Sequence, residues 1–319
     1  MPVLSRRVFL ERSSSCAAHL ALALALPASM RRRWAQQPAG RVVAQEAFGS
    51  LEQVADGVWA LISDPLSGDR TTLANGGIIA GTDGVLAVEG FFQPAGATWL
   101  AERARERTGR WPTHVVLTHY HADHANGVAG YGAGAMPTVH ATGVTRDDVA
   151  SRNRPPDDAR AAALAAAELL TEQSPTTLDL GGRRVRIVPR QGHTASDVSV
   201  ELDEPAVVFC GDLVWNAMVP NYVDALPSKL AAAVRALRRT EPTIYVPGHG
   251  AVAREAAFDR YVAMIDAIED GARQAHARGQ SAAEGGAAFA LPASLGDWIM
   301  FSPTYFERAF AAWYRELTP

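Results

Sequence analysis

A chain of 319 residues can bury a substantial hydrophobic core, and its length is compatible with one large domain or with two smaller ones. Hydrophobic residues make up 48% and charged residues 20%, with a net charge of −4, which is an ordinary composition for a soluble protein. No basic stripe interleaved with aromatic residues is present, so nothing in the sequence indicates a nucleic-acid partner.

The N-terminal segment resembles an export signal. Residues 5–10 read Ser-Arg-Arg-Val-Phe-Leu, as in twin-arginine signals, and an apolar run follows over residues 17–28. That run is shorter than the roughly 20 apolar residues that a membrane-spanning helix needs. We therefore expect residues 1–36 to be a twin-arginine signal and tail, and residues 37–319 to be a single periplasmic domain without stable membrane insertion after export. A basic, disordered tail is the alternative for the first segment.

The first half of the domain alternates short apolar runs with turn residues, a pattern typical of strands. In chain order we expect a strand at residues 57–62, a loop rich in Gly, Ser and Thr at 64–75, and a hairpin at 75–89. A helix at residues 95–108 and a buried strand at 113–117 follow.

The second half continues in the same way and ends in helices. We expect helices at residues 143–152, 159–170, 228–239, 253–278 and 303–317, strands at 176–180, 184–189, 198–202, 206–210 and 243–246, and a surface turn at 280–286. Strands in two batches, each followed by helices, predict an α+β fold in which two sheets pack together with helices outside.

A dense cluster of metal-ligand side chains follows the buried strand at residues 113–117. Successive side chains of an extended segment point to opposite sides, so His119 and His121, two positions apart, point to the same side and can bind one ion. Asp123 and His124 come where the chain turns toward a helix, and they can face a second ion. Burying four such side chains within six positions would destabilise the fold unless a cation bound to them. Imidazole and carboxylate together suit zinc, with iron or manganese as substitutes.

Residues 118–127 read Thr-His-Tyr-His-Ala-Asp-His-Ala-Asn-Gly and match the [ST]-H-x-H-x-D-H-x-x-G signature of the metallo-β-lactamase superfamily, which this chain resembles. The resemblance continues at three more turns, each after a predicted strand: Gly192-His193-Thr194, Cys210-Gly211-Asp212 and Pro247-Gly248-His249-Gly250. It implies a four-layer αββα sandwich, with a C-terminal helical extension here, and ligands on loops at one edge.

The same resemblance assigns roles to the ligands. His119, His121 and His193 would bind a first metal, and Asp212 would bridge both metals. Asp123, His124 and His249 would bind the second metal.

Asp212 also indicates the branch of the superfamily. A bridging aspartate looks like the glyoxalase II side, whereas lactamases of one subclass use a cysteine near this point. Cys210 is an alternative ligand, although a buried small hydrophobe is the favoured interpretation. With Cys16 in the export signal, Cys210 has no disulfide partner. Glu89 replaces the aspartate of many relatives, and we expect it still to orient ligands.

These residues predict a hydrolase with two zinc ions. Two cations lower the pKa of a bridging water toward neutrality, so that hydroxide attacks the carbonyl of an ester, thioester, lactone or lactam. Asp123 would bind metal and orient the nucleophile or relay its proton. Phosphoester or sulfate-ester cleavage on the same metals is also open.

Other functions remain as alternatives. An iron-dependent persulfide dioxygenase of the same superfamily would use one metal, a β-lactamase proper would need a suitable pocket, and a non-catalytic metal carrier would turn over nothing. The overall layout also resembles exported zinc hydrolases found beside sulfur-oxidation and quinoprotein systems. Packing is favoured over a role in the pocket for Tyr120, Trp215, Asn216 and Tyr222. We expect His114 and His140 to be structural and His276 to face solvent.

Overall fold

The computed structural model describes residues 39–318. The predicted export signal lies outside the described residues, and the periplasmic location stays a prediction. In the described part, strands form one sheet of eight and one of five. None of the helices within these residues combines the length and apolarity that a bilayer crossing requires.

The first sheet contains eight strands in chain order, antiparallel up to the fifth strand and parallel from there on. Its strands are β1 (Arg41–Glu46), β2 (Gly49–Ala55), β3 (Val58–Ser63), β4 (Gly76–Ala80), β5 (Val85–Val88), β6 (His114–Val116), β7 (Thr138–Thr142) and β8 (Glu168–Leu170).

The second sheet has five strands in the order β13-β12-β11-β10-β9. Only the pair of β12 and β13 is parallel. Its strands are β9 (Thr176–Asp179), β10 (Arg184–Arg190), β11 (Asp197–Leu202), β12 (Val207–Trp215) and β13 (Ile244–His249).

Helices cover the outer face of each sheet. They are α1 (Pro94–Thr108), α2 (Ala122–Ala125), α3 (Gly143–Arg152), α4 (Asp158–Ala165), α5 (Pro227–Leu237), α6 (Glu255–Ala277), α7 (Ala282–Ala288) and α8 (Tyr305–Leu317). Short 3-10 turns lie at Pro65–Ser67, Val128–Ala133 and Ala293–Leu295.

Alternating side chains along the strands build separate cores on the two faces of each sheet. In β12, Val207 and Phe209 enter the core between the sheets, whereas Val208 and Cys210 enter the core under α5, α6 and α8. In the first sheet, Val115 packs toward α1 on the outer face. Period-two alternation produces this division because successive strand side chains point to opposite faces. The predicted αββα sandwich is confirmed.

Two predicted elements were wrong. The helix predicted over residues 159–170 ends at Ala165, and Glu168–Leu170 form β8, because Leu170 is buried between the sheets. The turn predicted at 280–286 is instead α7, which begins with a capping box between Ser281 and Glu284. Gly286 lets α7 approach α8, since a Cβ there would lie 2.4 Å from Glu307 Cα. Strands β1, β2 and β7 had not been predicted.

Hydrogen bonds join the two sheets at one edge. Val198 N donates to Thr118 O at 2.9 Å, which links β11 to the segment after β6. Asn75 N donates to Gly248 O at 2.8 Å, and the Asn75 side chain donates to the carbonyls of Pro247 and Gly250. The turn around His249 is therefore held by the loop that enters β4.

Candidate metal centre

The seven residues singled out in the sequence meet at this edge of the sandwich. They come from both sheets: the segment after β6 and helix α2 on one side, and the turn after β10, strand β12 and the end of β13 on the other. All are buried in two adjoining groups of side chains that can each hold a metal ion. The two groups are His119, His121, His193 and Asp212, and Asp123, His124 and His249.

The first group converges on three ring nitrogens and one carboxylate oxygen. His121 Nδ1 lies 3.0 Å from His119 Nε2 and 3.0 Å from His193 Nε2. His193 Nε2 lies 3.2 Å from Asp212 Oδ2. Because neutral imidazole nitrogens and a carboxylate are the ligands that zinc prefers, this arrangement suits a divalent cation.

The second group uses the other oxygen of the same aspartate. Asp212 Oδ1 lies 3.1 Å from His124 Nε2 and 3.3 Å from His249 Nε2. His249 Nε2 is also 3.4 Å from Asp123 Oδ2. Asp212 therefore faces one group with each carboxylate oxygen, which is the position that a bridging ligand needs.

The buried polar atoms of this cluster fit a bound cation. Among residues 39–318, both oxygens of Asp123 and of Asp212, together with Nε2 of His124 and His249, have no hydrogen-bonding partner in suitable geometry. Unpaired buried polar groups are costly unless another ligand satisfies them. A Cβ at Gly248 would lie 2.0 Å from Asp212 Oδ1, so glycine leaves the carboxylate its space.

Charges within the cluster also favour a cation. Burial lowers the pKa of His119, and the neighbouring His124 and His121 lower it further. Burial would also lower the pKa of His249, but the carboxylates of Asp212 and Asp123 outweigh it and raise this pKa to about 9. The carboxylates thus attract positive charge into a region where burial disfavours it, and a metal ion supplies such charge.

Comparisons with known proteins agree with this geometry. The family model described as the metallo-beta-lactamase superfamily matches residues 80–249. A hydroxyacylglutathione hydrolase from Acidiphilium cryptum (strain JF-5) is 32% identical over 225 residues, which cover 70% of this chain and 82% of that protein. The chain belongs to the metallo-β-lactamase superfamily. Members of this superfamily are mostly metal-dependent hydrolases, and the buried His and Asp groups agree with that class.

Several solved structures have the same fold as this chain. A metallo-beta-lactamase from Pontibacter korlensis superposes with a TM-score of 0.55 at 19% identity, covering 68% of this chain and 98% of that one. A stereoselective inverting sec-alkylsulfatase from Pseudomonas sp. superposes with a TM-score of 0.64 at 15% identity. The aligned region covers 84% of this chain but only 50% of the sulfatase.

Glu89 contacts the site as expected from its position at the end of β5. Its Oε1 lies 3.0 Å from His124 Nδ1, and its Oε2 accepts a hydrogen bond of 3.2 Å from Thr118 N. Its backbone oxygen accepts a hydrogen bond of 2.7 Å from Tyr131 Oη. The Glu89 carboxylate therefore contacts the ring of His124, one of the residues that can hold a metal ion, and it can orient that ring.

Other residues from the sequence prediction lie outside the two groups. Cys210 is fully buried in the core under α5 and α6, with its Sγ near Val208 O at 3.5 Å, so it is not part of the cluster. Trp215 is also buried, and its ring packs on His249 with 4.3 Å between centroids. Tyr120 and Tyr222 are buried as well, and Asn216 Nδ2 donates to Ala251 O.

Two polar contacts of the site had not been predicted. Asp197 accepts hydrogen bonds from Thr194 N and from Thr194 Oγ1, which shapes the turn that carries His193. Asp224 Oδ2 lies 3.3 Å from His121 Nε2. Neither aspartate lies in one of the four matched turns, and Asp224 is 103 residues from His121 along the chain. Only the spacing Thr194-x-x-Asp197 was a readable signal, because it matches the capping-box pattern in which the fourth side chain accepts from the first residue's backbone N–H.

Proposed function

We propose that this protein hydrolyses a small carbonyl substrate, an ester, thioester, lactone or lactam, with two zinc ions held by the seven clustered residues. The observation that supports two ions is the placement of Asp212, with one oxygen toward each group. The similarity to a protein named hydroxyacylglutathione hydrolase supports hydrolysis of an acyl compound. A persulfide dioxygenase with one iron would leave the second group without a role.

The residues divide the work of such a reaction. When bound, a pair of divalent ions activates water as a nucleophile and stabilises developing negative charge on the attacked oxygen. His119, His121 and His193 would hold the first ion, and His124 and His249 the second. All of these rings are buried, so bulk water is largely excluded from the ligand atoms.

Asp123 would both bind the second metal ion and take part in proton transfer from the attacking water. Its Oδ2 points toward His249 Nε2 at 3.4 Å, and its Oδ1 is buried with no hydrogen-bonding partner among the described residues. Oδ2 can therefore bind the second ion while Oδ1 orients the attacking water or accepts its proton, because a general base must lie within hydrogen-bonding distance of that proton.

The test combines metal analysis with a substrate panel. We expect protein purified without added metal, and then loaded with zinc, to hold two ions per chain and to hydrolyse at least one ester, thioester, lactone or lactam. His121→Ala should abolish that activity, whereas His276→Ala, which removes a histidine on α6 that packs on Tyr314, should retain it.

The contrary results are distinct. One iron per chain together with oxygen uptake would support the dioxygenase alternative. Two bound ions with no turnover of any carbonyl compound would support a metal carrier. Full activity in His121→Ala would contradict the assignment of the site.

A further inference from the structure

The ring of His121 lies between the first metal group and a second carboxylate. Its Nδ1 faces His119 and His193, at 3.0 Å from the Nε2 of each. On the opposite side of the ring, its Nε2 lies 3.3 Å from Asp224 Oδ2. Both side chains are largely buried, with 8% of His121 and 10% of Asp224 exposed. The Asp224 carboxylate is thus placed behind a predicted ligand, not among the ligands.

Asp224 is itself held from the other side. Arg152 Nη1 lies 3.6 Å from Asp224 Oδ1, and the Tyr120 hydroxyl also forms a hydrogen bond with the Asp224 side chain. The guanidinium of Arg152 lies over the Tyr120 ring, 4.7 Å from its centroid, and Arg152 Nε pairs with Asp148 at 3.3 Å. Because Arg152 and Tyr120 both hold the Asp224 carboxylate, it keeps a fixed orientation toward the imidazole of His121.

The loop that carries Asp224 is held at both ends by backbone hydrogen bonds to other segments of the chain. Val219 N donates to Ile299 O and Ile299 N donates to Ala217 O, both at 3.0 Å, so a segment between α7 and α8 pairs with the start of this loop. At its end, Leu226 N donates to Gly192 O at 2.8 Å, directly before His193. The position of Asp224 therefore depends both on the turn before His193 and on a segment outside the region that the family model matches.

We propose that Asp224 is a positioning residue that accepts a hydrogen bond from His121 Nε2–H and so presents Nδ1, with its lone pair, to the first metal ion. A neutral imidazole has one N–H and one lone pair, so an acceptor at one nitrogen selects which nitrogen binds metal. Glu89 stands in the same relation to His124 in the second group, where it contacts Nδ1 and leaves Nε2 for the metal. Each metal group then has one histidine with a carboxylate behind it.

This inference rests on the metal centre of the proposed function. Its test measures metal binding and does not depend on hydrolytic activity. Zinc binding to the full-length protein is measured by competition with a chromogenic chelator, which yields two stepwise constants. We expect Asp224→Ala to weaken one of the two zinc constants by about 10- to 100-fold, as loss of a carboxylate behind a ligand histidine does elsewhere. Asp224→Asn keeps an acceptor for Nε2–H but no charge, so it should lose less.

A matched control and a spectroscopic readout separate positioning from general damage. Asp148→Asn removes another carboxylate that pairs with Arg152, at a side chain 27% exposed, and should leave both zinc constants unchanged. Imidazole nitrogen shifts of His121 in the metal-free protein should show Nε2 protonated in the wild type and in Asp224→Asn, whereas in Asp224→Ala the ring should populate the other tautomer.

The outcomes distinguish this inference from the proposed function. Unchanged zinc constants and an unchanged His121 tautomer in Asp224→Ala would overturn the inference alone. Failure of the wild type to bind zinc would overturn both proposals. Tight binding that weakens in Asp224→Ala, without any hydrolytic activity in the wild type, would overturn the proposed function and support the inference.

Discussion

Glu89 shows how a single residue adapts to the metal cluster. It has a φ of 77°, a left-handed conformation that costs a residue with a Cβ on the order of 1–2 kcal/mol. That conformation lets its backbone nitrogen bond to Val116 O while its carboxylate turns back to Thr118 and His124. Strain of this kind persists where the surroundings fix the residue, and here hydrogen bonds hold both its backbone and its side chain.

A second polar pair at the residue scale lies away from the metal cluster. His114 and His140 lie inside β6 and β7, and His114 Nδ1 is 3.0 Å from His140 Nε2. Burial lowers the pKa of both rings, and for His140 the neighbouring His114 lowers it further. Glu168 on β8 opposes these shifts, but its side chain is mostly exposed. The folded structure therefore favours the neutral form of both imidazole rings.

This pair predicts a pH dependence of stability. Both folded pKa values lie below the unfolded value of 6.5, so below that pH the unfolded chain binds more protons and the folded protein loses stability. His140→Gln removes one titrating ring but keeps hydrogen-bonding capacity toward His114. We expect it to cost more free energy of unfolding at about pH 7.5 than at about pH 5.5.

Urea denaturation of both proteins at the two pH values measures this difference. His276→Gln is the matched control, since it makes the same substitution on α6, outside the pair of His114 and His140. A difference for His140→Gln that stays constant across the two pH values would show that the pair does not titrate with lowered pKa values.

At the scale of elements, one glutamate joins three segments next to the His193 turn. Glu201 on β11 accepts hydrogen bonds from Arg190 at the end of β10, at 2.8 Å, and from Arg239 after α5, at 3.0 Å. Burial raises the pKa of Glu201, but the hydrogen bonds of Ser199, Arg190 and Arg239 outweigh it and lower the pKa overall. The ion pairs therefore stabilise the folded state while Glu201 is charged.

We predict that Glu201→Gln lowers the free energy of unfolding by about 1–3 kcal/mol at neutral pH, because a charged, nearly buried acceptor is lost while its arginines remain. Since the folded pKa lies below the unfolded value of 4.5, this stability is present above that value and is lost as the pH falls further. The difference between wild type and variant should thus shrink in acid.

Chemical denaturation at neutral pH and in acid tests this prediction. Asp203→Asn is the control, because Asp203 pairs with the same Arg239 at 3.1 Å from a side chain that is 68% exposed, and we expect no measurable change. Equal effects of the two substitutions would mean that burial of Glu201 contributes nothing.

At the scale of the whole molecule, the metal cluster lies across the seam between the two sheets. His119, His121, Asp123 and His124 belong to the side of the first sheet, and His193, Asp212 and His249 to that of the second. A bound ion would tie the sheets together only in the folded state, since the unfolded chain has no preformed site.

Removal of metal should therefore lower stability. We expect chelation to lower the Tm and zinc to restore it, since zinc at about 100 times its Kd adds about 2.7 kcal/mol for one site. Differential scanning calorimetry with and without chelator measures this. Asp212→Asn should show a much smaller rise with zinc than the wild type. If the two rose equally, Asp212 would have no part in binding the ions.

The superfamily and the sandwich could be predicted from the chain because both depend on local patterns. His119 and His193 follow strands with readable alternation, and Asp212 and His249 lie in the last parts of β12 and β13. Four of the seven clustered residues also lie within six positions of the sequence. Strand β6 and helix α1 were predicted close to their observed bounds for the same reason: periodicity and turn residues are properties of adjacent positions.

Contacts between distant segments were decided only by tertiary packing. The end of the helix predicted at 159–170 became β8 because burial of Leu170 between the sheets overrides the helix propensity of the preceding alanines. The facing rings of His114 and His140 depend on the register of β6 and β7. Asp224 reaches His121 because a loop anchored by Ile299 crosses to the first sheet. No periodicity relates residues so far apart, since their proximity results from how the layers pack.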